Sequence, residues 1–193
     1  DYQFFDTYSV NGVLYNGISG LSPTRLFNSD FGWETNKKLE AALELGFFKD
    51  RIFTTVEWYQ NKSSNQLVGI PLPGTTGFSS MQANLDAVVQ NRGFEFTVRT
   101  VNFNSGNFNW TTSFNLTVAK NKLLSFPNLA SSTYSQQYRV GQPLNIQLLY
   151  KFNGVNPQTG IYQFEDLNKD GLLTAAEDRQ IIADLNPKFY GGL

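Results

Sequence analysis

The chain has 193 residues, with 15 Lys and Arg against 16 Asp and Glu for a net charge of −1, and neither cysteine nor histidine. That excludes disulfides, Cys or His zinc centres and every Ser-His or Cys-His catalytic arrangement, and leaves any metal to oxygen ligands. Scattered cations give no basic stripe for phosphates, so a nucleic acid partner is not expected.

Length alone suits one soluble domain, but composition does not. Aromatic residues make up 15% and charged residues only 16%, against roughly 25% charged in soluble domains. The mean hydropathy of −0.31 is compatible with membrane strands, which alternate apolar and polar residues and average to mild polarity. No run reaches the ~18 apolar residues of a membrane helix and no signal peptide opens the chain, so any crossing is by strands. Asp1 reads as a cut end.

Residues 1–35 are rich in Gly, Asn, Ser and aromatics without lasting periodicity (Tyr15, Asn16, Gly17, Ile18, Ser19, Gly20) and read as a connecting loop. Residues 36–63 read as a hairpin. Leu39, Ala41, Leu43, Leu45 and Phe47 alternate with Glu40, Ala42, Glu44 and Gly46. A helix through Leu39, Ala42, Leu43, Gly46 and Phe47 fits that stretch equally. Ile52, Thr54, Val56 and Trp58, alternating with Phe53, Thr55, Glu57 and Tyr59, decide for strands because the segment is β-branched and aromatic. Phe48–Arg51 supplies the turn.

Residues 64–90 read as an outer loop, and 91–121 as a second hairpin turning at Asn104, Ser105, Gly106 and Asn107. Its return strand is the clearest in the chain. Phe108, Trp110, Thr112, Phe114, Leu116 and Val118 share one face, while Asn109, Thr111, Ser113, Asn115 and Thr117 fill the other. About 11 residues suit a tilted bilayer crossing. Residues 122–187 read as a long outer loop and 188–193 as the start of a further strand.

Tight turns at one end and long loops at the other are the outer-membrane barrel pattern. The expected fold is all-β: an antiparallel meander of long strands from a transmembrane β-barrel, incomplete because four or five strands cannot close one without unpaired backbone in lipid. Apolar faces would meet outer-membrane lipid. Phe47, Trp58, Tyr59, Phe108 and Trp110 near strand ends are candidates for interfacial girdles. Glu40, Glu44, Glu57, Glu95 and Arg99 would line the lumen, free to steer a polar substrate or simply solvated. Glu40 and Glu44 show no cleft signature of a glycosidase, and no catalytic residue is expected. The competing fold is a soluble calcium-binding β-sandwich that recognises carbohydrate, which would bury Trp110, Phe114 and Leu116 against a second sheet.

Five segments carry a family resemblance. They are Asn28-Ser-Asp-Phe-Gly-Trp-Glu-Thr35, Leu45-Gly-Phe-Phe-Lys-Asp-Arg51, Pro71-Leu-Pro-Gly-Thr-Thr-Gly-Phe78, Asn91-Arg-Gly-Phe-Glu95, and Asp166–Arg179 followed by Asn186-Pro-Lys-Phe-Tyr-Gly-Gly-Leu193. In this order they resemble SusC-like TonB-dependent outer-membrane transporters, the glycan and peptide importers of Bacteroidota. Ser29 departs from that family's usual Pro. The resemblance implies active import through a plugged barrel of about 22 strands, a SusD-like surface lipoprotein as lid, and TonB coupling through a plug domain to which no residue here corresponds. Phe78, Tyr134, Tyr138, Tyr150, Tyr162 and Phe164 are loop rings that could stack on sugars, contact the lid or pack among themselves.

One constellation carries chemistry. Asp166-Leu-Asn-Lys-Asp-Gly-Leu-Leu-Thr-Ala-Ala-Glu177 fits the twelve-residue calcium loop at every specified position. Asp166, Asn168, Asp170, the Leu172 carbonyl and Glu177 would be the ligands of a structural Ca2+. The family often places an acidic residue directly before Arg, so Asp178 could close the shell instead of Glu177. The same residues also suit a metal-free Asx turn.

Overall fold

The structure, a computed structural model, describes residues 5–193; Asp1 lies outside them. The strands in chain order are β1 (Thr7–Tyr15), β2 (Ile18–Arg25), β3 (Thr35–Phe47), β4 (Ile52–Ser64), β5 (Gln66–Pro71), β6 (Ser80–Leu85), β7 (Val88–Ser105), β8 (Phe108–Ser125), β9 (Ile146–Tyr150), β10 (Phe152–Val155), β11 (Tyr162–Phe164), β12 (Arg179–Asp184) and β13 (Tyr190–Gly192). Among the described residues the only helices are single 3₁₀ turns at Gly74–Thr76 and Leu129–Ser131. The chain forms two compact units, one of residues 1–36 and 63–87, the other of residues 37–62 and 88–193.

The second unit is built on an antiparallel sheet in the order β13-β8-β7-β4-β3. Helical spacing in Leu39–Phe47 loses to extended backbone because β3 gains a hydrogen-bonding neighbour along its length. The β7–β8 register runs from Val88↔Ser125 to Ser105↔Phe108, pairing Phe94↔Val118, Phe96↔Leu116 and Val98↔Phe114 on one face. Glu95↔Thr117, Thr97↔Asn115 and Arg99↔Ser113 pair on the other. From Phe108 to Val118 the strand rises about 33 Å, which tilted by about 40° spans the ~25 Å apolar band of an outer-membrane barrel.

The apolar face is bare. Leu43, Phe94 and Trp110 are 57%, 57% and 56% exposed, and Phe114 and Leu116 are not buried either. Among the described residues of this unit no second sheet covers them, as a sandwich would require. Buried apolar residues of this unit number few: Val89, Leu123, Phe126 and Leu148. All lie beyond the Phe94–Val118 end of the belt, where the loops attach.

A register shift between Val101 and Phe103 makes Asn102 a bulge. Strict alternation would turn Phe103 to the polar face, but the bulge places it opposite Trp110, with its ring 5.6 Å from that of Phe108. Asn102 satisfies itself on the apolar face: Thr100 Oγ1 donates to its Oδ1 at 2.8 Å, and its Nδ2 donates to Thr112 Oγ1 at 2.7 Å. Arg51 steadies the bulge from β4's turn. Its guanidinium donates to the carbonyls of Val101 and Asn102, and its own carbonyl accepts the Val101 N–H at 2.8 Å.

Several sequence expectations are corrected. Residues 7–25, read as connecting loop, form the β1–β2 hairpin around Asn16-Gly17. The 64–90 loop contains the β5–β6 hairpin, and the 122–187 loop contains the pairs β9–β12 and β10–β11. Tyr59 is no lipid-facing girdle residue; it lines the polar face with Glu57 and Glu95. In the first unit, the Asn28–Thr35 motif is held to β5 and β6. Asn28 Nδ2 donates to the Gln82 carbonyl, Asn84 bonds both N–H and C=O of Gly32, and Glu34 accepts the Leu67 N–H at 3.0 Å.

Gly93 has a definite reason. A Cβ there would lie 2.6 Å from the Val118 carbonyl oxygen and 2.9 Å from the Tyr59 hydroxyl, so only glycine lets that ring lie on the sheet. Gly93→Val is expected to lower the melting temperature of the full-length barrel, costing about 1–3 kcal/mol. Adding Tyr59→Ser should restore only part, because the Val118 clash remains; full stability in the single variant would refute the packing.

Candidate functional site

Two places in the second unit gather polar chemistry. The first is a recess of about 540 Å³ on the sheet's polar face, whose walls include Glu40, Glu57, Glu95, Tyr59, Asn91 and Tyr190. Alternation brings these side chains to one side: even positions of β3 and odd positions of β4, β7 and β8 point the same way. Glu44 and Arg99 are not part of it. Among the described residues, none of the three recess carboxylates is in a salt bridge. The amide lining was missed in the sequence, though Asn61, Asn91 and Asn121 obey the same parity. Asn121 Nδ2 donates to Asn91 Oδ1 at 2.7 Å and its Oδ1 accepts the Leu144 N–H at 2.8 Å, fixing both.

The second is the 166–178 loop, which joins β11 to β12 without flanking helices. Asp166 accepts the N–H groups of Lys169 and Gly171 at 2.7 and 2.8 Å, and Asp170 accepts that of Leu172 at 2.7 Å. Asn168 Nδ2 donates to Asp170 and Glu177 at 3.0 and 3.1 Å. Lys169 and Gly171 take the left-handed φ values 60° and 85° that the sharp turn needs. Among the described residues no three carboxylates are gathered as a metal cluster.

Asp178 is the loop's organiser. It is fully buried, and its two oxygens accept the N–H groups of Leu167 at 2.8 Å and Thr174 at 2.7 Å. Both oxygens are therefore committed to the backbone, which leaves Glu177 as the outward-facing carboxylate. Those backbone bonds, Thr174 first and then Leu167, hold the Asp178 carboxyl below its usual range against the opposing effect of desolvation. Nearby, Glu165 bonds Gln180 at 2.8 Å and Lys151 at 3.0 Å, and these contacts lower its pKa in that order. The rings of the loops pack on one another: Tyr134 on Phe126 and Tyr138, Tyr150 on Phe164, and Tyr162 on Phe152, with centroids 5.7–6.0 Å apart. Phe78 is half-buried.

A sheet with one bare apolar face and one carboxylate- and amide-bearing face, tight turns at one end and long loops at the other, defines a transmembrane β-barrel wall. The TonB-dependent receptor-like β-barrel family model matches residues 2–174. The chain belongs to that family, a family of outer-membrane receptors and not of enzymes. It is 29% identical over 199 residues to the TonB-dependent receptor P39 of Formosa agariphila, covering 100% of this chain and 18% of that protein. It is 35% identical over 130 residues to the TonB-dependent receptor P26 of the same organism, covering 63% of this chain and 13% of the relative. Among solved structures it resembles the RagAB peptide transporter with a TM-score of 0.73 at 20% identity, covering 99% of this chain and 22% of that one. The RagAB peptide importer in its 'open-open' state gives 0.68, again at 20% identity, covering 97% of this chain and 21% of that one. The chain thus spans about a fifth, or less, of the length of the relatives it matches.

A carboxylate whose folded pKa is lowered contributes stability above its unfolded pKa and loses it as pH falls through the folded value. The 166–178 loop should therefore keep its amide protection above the ordinary aspartate value of 3.8 and lose it progressively below. Asp178→Asn, with one acceptor oxygen for two N–H donors, should speed exchange at Leu167 or Thr174 roughly tenfold or more and flatten that pH dependence. Unchanged exchange in the full-length variant would contradict the assignment.

Proposed function

We propose that this chain forms part of the wall and outer surface of a TonB-coupled importer of glycans or oligopeptides, with a SusD-like surface lipoprotein as its lid. The observation that carries this reading is the sorting of side chains across one sheet in a receptor-family chain. All but Phe53 and Val101 of the Phe, Leu, Val and Trp in residues 39–47, 52–58, 94–103 and 108–118 of the four long strands take one face, while Glu40, Glu57 and Glu95 share the opposite recess. A lumen wall needs such a wettable face to pass polar solutes. Energy coupling belongs to a plug domain, and no residue here is assigned to it.

Uptake of labelled oligopeptides and oligosaccharides by cells carrying the full-length protein tests this. Entry of one of the two classes, abolished when TonB is deleted, is expected. Entry of neither, or entry indifferent to TonB, would overturn it.

For the 166–177 loop we propose a structural calcium ion held by Asp166, Asn168, Asp170, the Leu172 carbonyl and Glu177. The ligand spacing and the left-handed Gly171 support it, and Asp178, already bonded to the backbone, would preorganise the loop rather than bind. Asp166 and Asp170 would exchange amide contacts for the cation. Calcium added to the full-length protein should raise thermal stability and slow amide exchange across 166–177, with Glu177→Gln weakening both effects. No response to calcium would refute the site.

A further inference from the structure

We propose that the outer end of the lipid-facing surface is a binding site for a lipid whose head group carries phosphate. The proposal rests on the barrel reading and adds a partner to it. On each of the four long strands the apolar run stops at the same end of the sheet and is followed, on the same face, by cations. Leu39 gives way to Lys37 on β3, and Trp58 to Gln60 and Lys62 on β4. Phe94 gives way to Arg92 on β7, and Val118 to Lys120 and Lys122 on β8. The shared face is fixed by the register Arg92↔Lys120 and Gln90↔Lys122 and by Gln90 Nε2 donating to Gln60 Oε1 at 2.7 Å.

No carboxylate shares the parity of this row, although Lys120 also borders the carboxylate recess of the opposite face. Glu40, Glu44, Glu57 and Glu95 all fall at positions of opposite parity. Among the described residues, none of the five cations is in a salt bridge. Like charges opposite one another on paired strands repel, so the Arg92–Lys120 pair gains from an anion between them.

The surface has a matching shape. A recess of about 130 Å³ is lined by Gln90, Arg92, Lys120, Asn121, Lys122 and Gly141, at the edge between the two faces. That leaves room for one phosphate group. Adjoining it, a recess of about 250 Å³ is lined by Trp58, Gly93, Phe94 and Val118 and shares Arg92 and Lys120. One offers charge-assisted donors for phosphate oxygens; the other offers aromatic and aliphatic surface for the start of an acyl chain. The Phe48–Arg51 and Gly106-Asn107 turns lie at the opposite end of these strands, and short turns face the periplasm. The cationic end therefore meets the outer leaflet.

Native mass spectrometry of the full-length protein, titrated with phosphatidic acid or phosphatidylcholine, tests this. Wild type should retain phosphatidic acid in preference. Arg92→Gln, Lys120→Gln and Lys122→Gln should weaken that retention by about fivefold per cation removed. Lys49→Gln, in a turn at the other end, should leave it unchanged, and millimolar inorganic phosphate should not displace the lipid. Equal retention of the two lipids, no loss in the triple variant, or displacement by phosphate alone would each overturn the proposal. Failure of the barrel reading looks different: neither lipid would be retained.

Discussion

Inside hydrocarbon, each backbone N–H or C=O left without a partner costs several kcal/mol. A chain that crosses by strands must therefore pair every strand with a neighbour. Pairing forces period-two alternation, and alternation divides the side chains into two populations that meet different solvents. In this chain that division explains more than any local contact. It explains why β3 exposes Leu43, why Glu40, Glu57 and Glu95 meet in one recess, and why so few residues are fully buried. The solvent on the apolar side stands in for the core that a soluble domain of this length would need.

The same constraint accounts for the few polar groups on the apolar face. Thr100, Asn102 and Thr112 bond one another, and Arg51 closes on the carbonyls that the Asn102 bulge leaves outside the regular ladder. Polar groups are tolerated there because they are satisfied locally. Gly93 plays the complementary part on the polar face, where Tyr59 lies flat against backbone. The Asn-Arg-Gly-Phe-Glu segment thus combines a packing requirement at Gly93 with opposite facings of Arg92 and Glu95.

Strict alternation made part of the fold legible in the sequence. The Phe108–Val118 face, both tight turns and the placing of Glu40, Glu57 and Glu95 on the polar face all obey one period. The features that escaped lack the periodic run that betrays the long strands. The β1–β2 hairpin carries a turn signal in Asn16-Gly17, but Gly12, Gly17 and Gly20 break the alternation on either side of it, and the bulge at Asn102 reverses the facing of Phe103 against the parity of its own strand. Asp178 stood out in the sequence only as an alternative to Glu177 for closing the shell; its part as the loop's buried backbone acceptor is set by burial and two backbone donors, which no loop pattern encodes. The cations looked scattered in sequence, since Lys37, Lys62, Arg92, Lys120 and Lys122 lie far apart along the chain; only the register gathers them.

Parity along each strand decides which solvent a residue meets. Single cysteines carrying spin labels at Leu43, Val98 and Phe114, and at Thr97, Ser113 and Asn115, would measure it in the full-length protein reconstituted in bilayers. The first set should be accessible to oxygen dissolved in lipid and shielded from a water-soluble relaxation agent, and the second set should show the reverse. Equal accessibility of the two sets to the aqueous agent would contradict the account.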